Sequence, residues 1–301
     1  MTTVSSSSPA IPARGRPTSW WLSTLRRRAA RMHEERLDLS QPISWECDEE
    51  RLAAIKFFNA AYRAEESGVS QAHALADEVR RWDPALAECL VLYGNEEGWH
   101  RELLTEFLAF LGGDVQPMGR VTGTFYRLYG RAERMDTIVL TNLMFETIGS
   151  TTYRLALRRA RHPAVKQMLT ILTRDESFHV PLNVHFLRLV LAQSPERRAS
   201  AHLTRIYHLL YVALLASAAA SRRRAQRFDR IPFGVLARAY GAQLGRLFVQ
   251  ERDLGFAPSP LILRALGLRR AELARGGGPS EVSAEAAEAA ADRAHVIVTA
   301  L

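Results

Sequence analysis

Asn95-Glu96-Glu97-Gly98-Trp99-His100 and Arg174-Asp175-Glu176-Ser177-Phe178-His179 share one form: an acid pair, two spacers and a histidine. On a helix, residues i and i+3 lie one turn apart on the same face, so each carboxylate and imidazole can grip one cation. The question is whether that face points inward. Around the first motif the apolar stripe is Leu86, Leu90, Tyr93, Glu97, His100, Leu104, Phe107 and Leu111. Around the second it is Val165, Met168, Leu172, Glu176, His179, Leu182 and Phe186. Both motifs therefore sit on the buried face of an amphipathic helix. An ionised carboxylate in a core costs several kcal/mol unless it is paired or binds metal. Two such costs at matching positions call for a cation.

Further inward-facing carboxylates complete a set. The stripe Val139, Leu143, Glu146, Ser150, Tyr153, Leu157 turns Glu146 inward. In the preceding helical segment, Phe58, Ala61, Val69, Ala72 and Ala76 centre on Glu65, with Glu66 as the alternative about 100° round the helix. A weak internal repeat favours Glu65: Gly68 stands three after Glu65 as Gly149 stands three after Glu146, where the other two helices carry histidine. Mid-helix glycine costs ~1 kcal/mol against alanine, so these two are read as leaving room beside the cations for dioxygen or substrate.

The order Glu, Glu-x-x-His, Glu, Glu-x-x-His is the ligand arrangement of ferritin-like di-metal carboxylate proteins. Six ligands, four carboxylates (Glu65, Glu97, Glu146, Glu176) and two imidazoles (His100, His179), suit iron or manganese better than zinc. The expected cofactor is a pair of Fe ions, with Mn or mixed Mn/Fe as alternatives. A ligating imidazole donates its other N–H to a carboxylate, so Asp175 is expected to reach His100, and Glu96 to reach His179. Tyr153, Tyr93 and Tyr62 lie near the ligands, where core packing is the expected role and electron relay the alternative; Tyr153 is grouped with Glu96 and Asp175 as a residue surrounding the ligands. Pro181 is expected to kink its helix.

The two motif strings resemble those of acyl-carrier-protein desaturases and p-aminobenzoate N-oxygenases, and aldehyde-deformylating oxygenases share the ligand order. The resemblance covers about residues 50–190. Aminobenzoate-type N-oxygenases carry a further histidine one turn before the last motif; here that position is Leu172. The resemblance implies a ferritin-like bundle and a dioxygen-activating di-iron oxidase or oxygenase. Its reaction would be hydroxylation, desaturation or N-oxygenation of a small organic or carrier-tethered substrate. An electron donor is then a required partner, an acyl or peptidyl carrier protein suits the basic surface, and a homodimer is compatible. The alternative is a ferroxidase or iron-handling protein. Storage subunits are usually short bundles, however, and about 110 residues follow Gln193 here.

The remaining sequence frames this centre. The chain has 301 residues and 47% apolar composition, enough for a large all-α domain with no useful β-alternation. Residues 1–45 read as a disordered arm followed by a short basic amphipathic helix (Trp20, Trp21, Leu22, Leu25, Arg26 to Arg28) that docks on the body. The main domain is 46–275, with the metal-binding bundle at 48–193 and further helices near 198–226, 234–253 and 259–274. A Gly-Pro linker and an Ala/Glu-rich helix fill 276–301. Asp48 reads as the cap of the first bundle helix, and Asp83-Pro84 as a cap with proline at the first helical position. Two cysteines, Cys47 and Cys89, fit a reducing cytoplasm. Residues 1–33 contain no acid and resemble an organelle transit peptide. The net charge of +8 is almost all arginine, and no nucleic-acid motif accompanies it. The most apolar run, Ile206 to Ala220, falls short of the ~20 residues of a membrane span and is expected to be buried on most sides.

Overall fold

A computed structural model describes residues 15–118, 123, 132–193 and 201–275. The expected linker and Ala/Glu-rich helix, the first part of the N-terminal arm and most of 119–131 lie outside these residues. Among the described residues the chain is all-α, with no strand. In order the helices are α1 (Thr18–Arg31), α2 (Asp48–Val79), α3 (Pro84–Phe110), α4 (Met135–Leu157), α5 (Pro163–Gln193), α6 (Ala201–Asp229), α7 (Phe233–Gln250), α8 (Pro260–Ala265) and α9 (Arg270–Leu273).

The helix starts follow local chemistry. Asp83 caps α3 by accepting from the Leu86 N–H at 3.0 Å, with Pro84 in the first turn. The cap position of α2 is Cys47, not Asp48. Asp48, Glu49 and Glu50 instead fill the first turn, where their charge opposes the positive end of the helix dipole. α5 runs through Pro181 to Gln193.

Short turns make α2–α3 and α4–α5 antiparallel hairpins, and these two pairs make the most extensive helix contacts among the described residues. The hairpins bring the acids level. Glu65 stands 14 residues before Val79 and Glu97 stands 13 after Pro84. Glu146 stands 11 before Leu157 and Glu176 stands 13 after Pro163. Two apolar clusters fill the two ends of the hairpin pair. One gathers Leu75, Val79, Leu86, Leu90, Leu143 and Leu182 with α1, α6 and α7. The other gathers Phe58, Leu104, Phe107, Met168, Leu169 and Leu172. The acids and histidines form the layer between them. α3 runs from the first cluster to the second, and α4 does the same, so α4 begins at the end opposite to where α3 stops.

Two further expectations need correcting. α6 is not buried on most sides: Leu209 and Val212 are exposed, and only 28% of its most apolar window is buried. It packs on α2, α4 and α7 through one face, Leu203, Tyr207, Leu210, Tyr211 and Ala218, and leaves Leu209 and Val212 exposed on the other. By length and composition it is the one described helix long and apolar enough to cross a membrane. The segment 259–274 is two short helices, not one. Gly267 adopts φ +65°, and Leu268 and Gly267 donate to the carbonyls of Leu263 and Arg264. That pair of bonds is the Schellman stop.

Candidate metal centre

Four helices deliver the predicted acids and histidines to one place. Glu65, Glu97, His100 and Glu176 form one set of donors, and Glu97, Glu146 and His179 form a second. Within each set the donor atoms lie within 4.8 Å of one another. Glu97 belongs to both. Its Oε1 is 3.2 Å from His179 Nδ1, and its Oε2 is 3.8 Å from His100 Nδ1. Glu176 also reaches the second set, with Oε2 3.4 Å from His179 Nδ1. Glu65 Oε2 lies 3.3 Å from His100 Nδ1 and Glu146 Oε2 lies 3.7 Å from His179 Nδ1. Glu66 stays out: it pairs with Arg63 at 2.6 Å on a partly exposed face. One residue of helical rotation separates these fates.

Both rings are oriented across the hairpins. His100 Nε2 is 3.1 Å from Asp175, and His179 Nε2 is 3.2 Å from Glu96. An ionised carboxylate only accepts, which assigns the proton to Nε2 and leaves each Nδ1 lone pair for the centre. Asp175 lies well below the usual carboxylate range: burial opposes ionisation, but Arg174, Arg28 and the His100 bond outweigh it. Glu96 is also lowered against its burial, by Arg28 and His179.

The inner acids behave differently. Burial, then Glu97, pushes Glu65 well above the usual range. Glu176 rises through burial, then Glu146 and Glu65. Glu97 goes the other way: burial opposes it, but the charge of His179 and the neighbouring Glu65 and His100 outweigh it. His100 and His179 are raised well above the ordinary imidazole value; burial works against this, and hydrogen bonds and charges of the surrounding acids prevail. Protons and cations thus compete for one set of lone pairs.

The polar atoms test whether a cation fits. Glu65 Oε1, Glu97 Oε1, Glu176 Oε2 and His179 Nδ1 are buried without a hydrogen-bond partner. Buried polar atoms are rarely left so; others, such as Tyr207 Oη and Tyr211 Oη, stand apart, but these four meet in the two donor sets. These Glu/His groups can hold metal.

Sequence reasoning placed the inner acids but missed part of their surroundings. Tyr93 donates to Glu146 Oε1 at 2.6 Å, and its ring meets the His179 ring edge-on. Tyr153 is buried on the same α4 as Glu146, its phenol pushed well up by burial and then by Glu65 and Glu176. Tyr62 is occupied elsewhere, accepting from Arg101 at 3.1 Å. Arg28 was unforeseen. It donates to Glu96 and, at 2.6 Å, to Asp175, and it lies 4.3 Å over the Phe178 ring. Arg174, also unforeseen, binds Glu35 and Asp175. The signal for Arg28 was present: Trp21, Leu25 and Arg28 share the i, i+4, i+7 stripe of α1. The two glycines also differ. A methyl on Gly68 would meet the Glu97 carboxyl carbon at 3.2 Å, whereas one on Gly149 would meet only Tyr153 at 3.7 Å.

Comparison with known proteins finds no matching family model, no matching curated protein and no matching solved structure.

Proposed function

We propose that this chain is a dioxygen-activating non-haem di-iron oxidase or oxygenase built on a ferritin-like four-helix bundle. The observation that carries the reading is Glu97, which belongs to both donor sets and stands between His100 and His179. Two cations sharing carboxylates are what such a site suits. The opposed ends of α3 and α4 support the bundle reading, since ferritin-like folds join two hairpins by one long crossover. Iron is favoured over manganese only by the resemblance of the motifs.

Glu65, Glu97, His100 and Glu176 would hold one ion, and Glu97, Glu146, His179 and Glu176 the other. Bound there, the iron pair supplies the electrons that reduce dioxygen and the oxidising power used on the substrate. The chain's own residues do the rest. Asp175 and Glu96 fix the imidazole tautomers. The apolar clusters keep water out on either side. Tyr93 orients Glu146 by donating its phenolic O–H to Oε1. Access is favoured on the α4 side, where Glu146 is 11% exposed and Gly149 leaves space beside Tyr153. The substrate is a small or carrier-tethered organic molecule, and an external donor supplies electrons.

The test is to count iron in the purified protein, reduce it and admit dioxygen. Stoichiometric uptake with a transient visible band and no mineral supports the oxygenase. Many irons per chain with mineral growth supports the alternative, a ferroxidase or storage protein. A chain that takes up no iron rejects both.

A further inference from the structure

We infer that Arg28, reaching in from α1, is a positioning residue for the metal centre and that it governs the His179 side more than the His100 side. This rests on the two-cation reading of the site. The two hairpins are related by an internal repeat of 79 residues: Glu97 matches Glu176, His100 matches His179, and Glu96 matches Asp175. Arg28 has no counterpart in that repeat. It lies where the two related carboxylates converge and donates to both.

The support of those carboxylates is unequal. Asp175 is also held by Arg174, through Nε and Nη2 at 2.6 and 2.7 Å, and Arg174 is itself anchored to Glu35. The residue matching Arg174 in the other hairpin is Asn95, which is exposed. Among the described residues Arg28 is therefore the only arginine that pairs with Glu96, and Glu96 is what orients His179. Without Arg28, Glu96 loses the guanidinium that anchors it and is free to turn away from His179. The His179 Nδ1 lone pair is then no longer aimed at the centre. Asp175 and His100 keep their Arg174 support.

α1 is thus more than a cover. Trp21 packs on Phe178 and His185, Thr18 bonds His185 at 3.1 Å, and Arg26 pairs with Glu88. These contacts hold Arg28 in register with Glu96 and Asp175.

The experiment is a cobalt(II) titration of the full chain, followed by calorimetry and by the visible cobalt bands, with circular dichroism as the fold control. Wild type should take up two ions. Arg28→Ala should weaken the His179-side ion by roughly 10- to 100-fold, the usual cost of losing an outer partner of a ligand, and change the other little. The sides are told apart by background. With Glu65→Ala, which cripples the His100 side, adding Arg28→Ala should weaken the remaining ion by about the same 10- to 100-fold. With Glu146→Ala, it should leave the remaining ion nearly unchanged. Arg28→Lys should restore part of the loss. If Arg28→Ala misfolds, Arg28→Met with Glu96→Gln removes both charges and keeps an acceptor for His179; it should bind the second ion more tightly than Arg28→Met alone. Two unaltered ions in Arg28→Ala, or equal weakening of both, overturns this inference and leaves the two-cation site standing. A wild-type chain that takes up no cobalt overturns both.

Discussion

His179 and Glu96 face each other across two hairpins, Nε2 to Oε2 at 3.2 Å, and this contact is the mirror of the 3.1 Å contact between His100 and Asp175. Each motif therefore uses its first acid to orient the histidine of the other motif and its second acid to face the centre. The acid pairs Glu96-Glu97 and Asp175-Glu176 are functionally split by one residue of helical rotation.

That split predicts unequal mutants. Glu97 serves both donor sets, while Glu146 serves one. Glu97→Ala should lose both ions, whereas Glu146→Ala should keep the ion between Glu65 and His100. Elemental analysis of the two variants after iron-replete expression checks this. Equal retention by both variants contradicts the assignment.

The glycines predict opposite outcomes for one chemical change. Gly68→Ala places a methyl 3.2 Å from the Glu97 carboxyl carbon and must push that side chain. Gly149→Ala meets only Tyr153 at 3.7 Å, an ordinary contact. Helix propensity favours either change by ~1 kcal/mol. Gly149→Ala should therefore raise metal-free stability by about that amount with metal affinity kept, while Gly68→Ala should weaken metal binding. Thermal unfolding and cobalt titration separate the two effects.

Tyr93→Phe should leave both ions bound, because Tyr93 holds Glu146 by a hydrogen bond and is in neither donor set. It strips the Glu146 oxygen of a 2.6 Å donor in a buried setting, and such bonds to charged groups contribute ~1.5–3 kcal/mol. Denaturant unfolding of the metal-free proteins should show a loss of that order. No change would mean that Glu146 finds another donor.

His185 links α1 to solution pH. Burial, then Arg188, pushes its imidazole down to about 3, whereas an unfolded histidine titrates near ~6.5. Between those values the unfolded chain binds the extra proton, so stability rises with pH, by at most ~1.4 kcal/mol per unit. The contribution is whole above about pH 6.5 and is lost as pH falls toward 3. His185→Gln should flatten this slope between about pH 5 and 6.5, as read by chemical denaturation across that range.

The local parts of this fold were legible because their signals are local. The stripes through Glu97–His100 and Glu176–His179, the Asp83-Pro84 start and the choice of Glu65 over Glu66 follow from helical rotation alone. What was hidden depends on distant partners. Arg28 meets Glu96 across 68 residues and Asp175 across 147, and no periodicity in α1 names its partner. The exposure of α6 was misread because an apolar run does not state how many neighbours it has. Gly267 was visible as a residue, but its stop depends on the left-handed backbone it adopts.

The most direct test of the central claim is anomalous scattering at the iron edge from crystals of the iron-loaded chain. The account predicts two iron peaks roughly 3.5–4 Å apart, flanked by Glu97 and Glu176, one beside His100 Nδ1 and the other beside His179 Nδ1. Iron bound elsewhere, or no peak among these residues in iron-loaded protein, would contradict it.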